Sequence, residues 1–144
     1  MASYKNALDR LMKEAYLEEE LRKLVDDANI DLASDKSIAC SLRKIYKNGI
    51  SYYHIIFTGY GIDIGLGPKI ETPISFRVES NKIVLGSTTG NIIVKIPSVL
   101  NNIKESAINN EKHRLEIIKH EFFTKYGDRI DKIIEEYNKT LKES

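Results

Sequence analysis

Asn48-Gly49 stands between two runs that alternate apolar and polar residues, and that pair limits the fold more than any other feature of the chain. Both positions of a two-residue hairpin turn need positive φ, and Asn-Gly supplies it at the lowest cost. On one side Ile38, Cys40 and Leu42 alternate with Ala39, Ser41 and Arg43, the period of a half-buried strand. Taken as a two-residue turn, the pair fixes a register: Lys47 opposes Ile50, Ile45 faces Tyr52, Arg43 faces His54, Leu42 faces Ile55 and Cys40 faces Phe57. A slip of one residue would exchange the two faces of the sheet, so this turn decides which side chains share a surface.

The pattern repeats further along. Ile74, Phe76 and Val78 lead into Ser80-Asn81 and return through Ile83 and Leu85, which sets Glu79 against Lys82. Gly86-Ser87-Thr88-Thr89-Gly90 then leads to a last strand with Ile92, Val94 and Ile96, stopped by Pro97. Both ends of the chain are helical in pattern. Ser3 is placed to cap a first helix reaching to about Ala28, with one apolar face of Leu8, Leu11, Met12 and Ala15. A second face, Leu17, Leu21, Leu24 and Ala28, is rotated from the first and implies either a bend near Tyr16 or two packing partners. From Val99 onward Leu115, Ile118, Phe122 and Tyr126 form a stripe that Ile130, Ile133, Tyr137 and Leu141 continue beyond Gly127-Asp128. An unbroken helix there would exceed about 60 Å, so either Gly127-Asp128 breaks it or its end, 128–144, projects as a dimerisation helix. The stripe keeps its phase across Gly127, which favours projection and a homodimer.

The expected fold is therefore α+β: an N-terminal helix, an antiparallel meander sheet of about five strands and a long C-terminal helix, in a single domain, 1–144. The chain has 42% apolar and 30% charged residues, the balance of a soluble globular protein. It has no long apolar run and no secretory h-region, and its lone Cys40 suits a reducing, cytoplasmic setting. An Ile-, Lys- and Glu-rich chain without Gln suits a thermophilic archaeal or archaeal-virus source, although the many Asn fit that less well and AT-rich coding explains Ile, Lys, Asn and Tyr equally well.

Charge is distributed unevenly. Residues 36–100 carry eight Lys/Arg against three acids, while the helical ends carry fourteen against eighteen, so a net charge of +1 conceals a dipole. The register divides the sheet residues into a core face and a second face bearing Arg43, Ile45, Lys47, Tyr52, His54, Ile56, Arg77, Val84, Ile93 and Lys95, with no acid near its centre. Cations for phosphates beside a planar ring for bases is the mixture that single-stranded nucleic acid requires. The expected binding residues are Arg43, Lys47, Tyr52, His54, Arg77 and Lys95, with Tyr52 as the stacking platform. The same face would serve equally as a surface covered by a helix or a partner subunit.

Other constellations fall short of chemistry. Gly59 to Gly67 lacks the spacing of a dinucleotide fingerprint and reads as a bulge, a close backbone approach or a ligand-gripping loop. His113, Glu116 and His120 are spread over two helical turns, too far for both histidines to hold one ion, so no metal and no cofactor is expected. Cys40 has no histidine partner. The expected function is non-enzymatic: single-stranded nucleic acid held with little sequence preference. The alternative is a homo-oligomeric scaffold or adaptor, of a kind viruses use, which would leave Leu17, Leu21 and Leu24 or the Ile130–Leu141 stripe exposed. In layout the chain is similar to thermophilic archaeal single-stranded-DNA-binding proteins that join a small α/β domain to a dimerising helix. It is also similar to small bacterial nucleoid-associated dimers. No residue pattern carries either likeness.

Overall fold

The computed structural model describes residues 2–34, 38–59, 69–79, 82–86, 93–95 and 105–142. Helix α1 (Ala2–Asp31) is followed by strands β1 (Ile38–Lys47), β2 (Ile50–Gly59), β3 (Lys69–Glu79), β4 (Lys82–Leu85) and β5 (Ile93–Lys95), and helix α2 (Glu105–Lys142) closes the chain. The class is α+β with an antiparallel sheet, as the pattern predicts.

The first hairpin has the register that its turn dictates. Lys47 pairs with Ile50, Ile45 with Tyr52, Arg43 with His54 and Cys40 with Phe57. Asn48 and Gly49 adopt φ of 55° and 79°, the left-handed pair of a tight hairpin turn. Glu79 likewise pairs with Lys82.

The sheet departs from a five-strand meander in width. Residues 70–78 of β3 pair with β2 on one side, so β4 and β5 must share the other side. The result is four strands wide, its last position divided between two short strands. The cause is a mismatch of lengths. β3 has eleven residues and β4 four, so the first half of β3 keeps an open ladder that β5 joins. Pro73 lies between the two short strands. Gly86 N–H donates to the Ser75 carbonyl at 2.7 Å, so the odd residues of β3 turn their backbone groups to that side. The missing N–H of Pro73 therefore faces the gap, where no partner strand needs it.

Both helices cover one face. Leu17, Leu21, Leu24 and Ala28 of α1 meet Cys40, Ile55, Phe57, Ile74 and Phe76 of the sheet, with Leu115, Phe122, Ile130, Ile133 and Tyr137 of α2, in one buried cluster. Phe57 and Phe122 pack edge to face at 5.2 Å. The helices run antiparallel. Asp31 accepts hydrogen bonds from Lys125 at 2.8 Å and Tyr126 at 2.6 Å, and Arg129 donates to Asp27 at 2.5 Å.

This arrangement corrects the expected projecting end. α2 is one helix of 38 residues, about 57 Å long at the helical rise, and it passes through Gly127-Asp128 unbroken. Ile130, Ile133 and Tyr137, expected at a dimer interface, are buried inside the chain's own core. The physical reason is α1, itself 30 residues long, which gives the second half of α2 a partner within the chain. The Leu141 side chain lies outside the described residues. Leu17, Leu21 and Leu24 are buried too, which removes both stripes on which the adaptor reading relied. The first apolar face of α1 remains uncovered, with Leu11 and Met12 each 65% exposed. The Leu8 side chain falls outside the described residues.

Candidate nucleic-acid interface

Each strand alternates its side chains between the helices and the opposite surface, so the exposed set follows from the register. Ile45, Tyr52, Arg77 and Val84 form a row across all four strand positions. Arg43, His54 and Ser75 form the next. Arg43, Ile45, Lys47, Arg77 and Val84 are exposed, and Tyr52 and His54 half-buried. Among the described residues, neither row lies under a helix. The Tyr52 and His54 rings are parallel to within 2°, with centroids 6.4 Å apart. His54 Nδ1 shares a 2.8 Å hydrogen bond with Ser75 Oγ, which fixes the imidazole plane.

Burial holds the His54 pKa below its ordinary value, and the nearby Arg43 charge adds to the effect. His54 is thus a neutral, planar group at neutral pH, and the positive charge of the surface resides in Arg43, Lys47 and Arg77.

Two expectations for this surface need correction. An acid does lie beside it: Glu71, 2% exposed, has Oε1 3.9 Å from Arg43 Nη2. Starting β3 at Ile74 hid this residue, because the strand in fact begins at Lys69. Lys95 does not join the others. It pairs with Lys69 at the far end of β3 from Arg77, about 26 Å away at the rise of a strand, and its side chain lies outside the described residues. The face also closes towards that end, since Ile56, Thr58 and Glu71 are all buried. The open surface is therefore confined to the hairpin end of the sheet.

The β1–β2 hairpin extends past the helices. Every residue from Arg43 to Gly49 is exposed, including Tyr46 at 71% and Ile45 at 42%. Lys44 Nζ lies 5.3 Å from the centre of the Tyr53 ring, on the helix-covered side.

Elsewhere the structure offers less. A cavity of about 320 Å³ lies between the end of α1 and α2, lined by Phe57, Ile118, Phe122 and Tyr126 among others. Asp31 accepts hydrogen bonds from Lys125 and Tyr126 there, Glu121 is the other carboxylate of the lining, and no nucleophile stands against a base. Among the described residues no three potential metal ligands converge; His113 and His120 are exposed on α2. Cys40 is buried, and burial pushes its thiol up to about 12, the opposite of an activated nucleophile. Gly59 ends β2 where a Cβ would run into the Glu111 carboxylate, so its lack of a side chain serves close packing of α2 on the sheet. Residues 60–68, the remainder of the glycine-rich segment, lie outside the described residues.

No helix among the described residues is long and apolar enough to cross a membrane. No protein-family model, no curated protein and no solved structure matches this chain.

Proposed function

We propose that this protein binds single-stranded nucleic acid on the open end of its sheet, without catalysis and with little sequence preference. The observation that carries the reading is the row Ile45–Tyr52–Arg77–Val84 with Arg43, Lys47 and His54 beside it. It combines apolar contact, planar rings and cations on a surface that neither α1 nor α2 covers. Phosphates neutralised by Arg43, Lys47 and Arg77 release counterions, and a base stacked on Tyr52 adds about 1–3 kcal/mol. A strand lying along β2 would meet Tyr52 and His54 in succession.

The test is fluorescence anisotropy with a labelled oligothymidine and the matching duplex. Single strands should bind more tightly than duplex. Tyr52→Ala should weaken single-strand binding by about tenfold, or by 1–3 kcal/mol, at unchanged thermal stability. Equal binding by the two proteins would remove the stacking platform.

A scaffold that assembles with other copies of itself is the second reading. The uncovered Leu11 and Met12 on α1 favour it. It expects a mass in solution that falls to that of the monomer when both are changed to Lys, with nucleic-acid affinity unaffected.

A further inference from the structure

The sheet has one edge that the fold protects at a single point and leaves open beyond it. β1 is the outer strand. In a two-residue hairpin the closing pair, Lys47 and Ile50, exchanges hydrogen bonds, so the odd residues of β1 turn their backbone groups to β2. The even residues turn theirs outward. At Cys40 that outward pair is met by Asn29 of α1. Asn29 Nδ2 donates to the Cys40 carbonyl at 2.9 Å, and Asn29 Oδ1 accepts from Cys40 N–H at 3.0 Å. One side-chain amide thus occupies the place of a neighbouring strand. Past Cys40 the outward groups of Leu42, Lys44 and Tyr46 belong to a stretch whose side chains are exposed from Arg43 onward. An unblocked edge bearing exposed Ile45 and Tyr46 is a template for strand addition.

Charge selects the occupant. Within β1 the residues Arg43, Lys44 and Lys47 are basic and none is acidic. Of the acids near this edge, Glu71 is buried beside Arg43, Glu18 of α1 is paired with Arg22 at 2.8 Å, and Glu14 of α1 lies by Tyr53 on the helix-covered side, away from Arg43 and Lys47. A second copy pairing antiparallel through the same edge would set these cations against their own counterparts in one ladder, which is unfavourable. We propose that the β1 edge, Leu42–Tyr46, accepts an extended peptide in which acidic residues alternate with β-branched ones. Its acids lie on the outer face beside Arg43 and Lys47, its β-branched residues lie on the other face beside Leu42 and Tyr46, and its backbone pairs with Leu42, Lys44 and Tyr46. This site shares the hairpin with the proposed nucleic-acid surface but uses the backbone edge, so it stands or falls separately.

The test uses the full chain without nucleic acid. Three labelled heptapeptides are compared: alternating Glu-Val, alternating Lys-Val, and the Glu-Val peptide N-methylated at its three central residues. The Glu-Val peptide should bind at least about tenfold more tightly than either of the others. Exchange of the Leu42, Lys44 and Tyr46 amides should slow in its presence. Lys47→Glu should weaken the Glu-Val peptide and strengthen the Lys-Val peptide. Affinity indifferent to peptide charge or to N-methylation would overturn the proposal. So would those three amides already being protected in a dimer without peptide, since a second copy would then hold the edge.

Discussion

Tyr52 and Tyr53 are adjacent in sequence and belong to different parts of the molecule. Tyr53 points into the helix-covered core, fully buried, and its hydroxyl has no hydrogen-bond partner in the structure. Tyr52 points to the other surface, half-exposed, in a row with Ile45, Arg77 and Val84. The whole hairpin repeats this division, one residue for stability and the next for whatever the surface binds. Two residues of the same type can therefore fail in opposite ways, and substitution of neighbours separates folding from binding.

The largest expected effect is on the buried side. Tyr53→Ala should cost about 3–5 kcal/mol of unfolding free energy, as for other large aromatic truncations, while Tyr52→Ala should cost under about 1 kcal/mol. Chemical denaturation of both variants reads this directly, and similar losses would mean that Tyr52 is also structural. Tyr53→Phe sharpens the same point. It removes an unsatisfied buried hydroxyl and should be neutral or stabilising by about 1 kcal/mol. It should also blunt alkaline unfolding. Burial raises the Tyr53 pKa above 10, so the stability it contributes is complete below pH 10 and is lost as pH rises towards the folded value.

A smaller effect separates the two ends of β1. Asn29→Ala removes both hydrogen bonds to Cys40 and should destabilise by about 1–2 kcal/mol, with faster exchange at the Cys40 amide. Exchange at Tyr46, which has no such clamp, should not change. The smallest effect is His54. Its folded pKa lies below the ordinary histidine value of about 6.5, so its contribution to stability is present above that pH and is lost as pH falls through the folded value. His54→Gln should flatten that acid limb of a pH–stability profile, and an unchanged limb would assign it to the carboxylates instead.

What the sequence made legible was local. Asn48-Gly49 and the alternation around it determined a register that holds at every paired residue of the first hairpin, because turn chemistry and period are short-range. The outcome of long-range competition was not legible. That β5 would join β3 rather than the free edge of β4 depends on how much of β3 is left unpaired, which no local pattern states. The apolar stripe beyond Gly127 looks the same whether it meets a second subunit or α1, and only the length of α1 decides. At the site, Tyr52, Arg43, His54, Lys47 and Arg77 were placed together by register. Glu71 was missed because the alternation was legible only from Ile74 onward, whereas β3 begins at Lys69.

The most direct test of the proposed function is a salt titration of affinity for a labelled 12-residue oligothymidine. With three cations on the face, the account predicts that log K falls linearly with log salt at a slope of roughly −2, about 0.7 per neutralised phosphate. Arg43→Ala with Arg77→Ala should reduce that slope by more than half. Binding no tighter than micromolar at low salt, or a slope that the double substitution leaves unchanged, would contradict it.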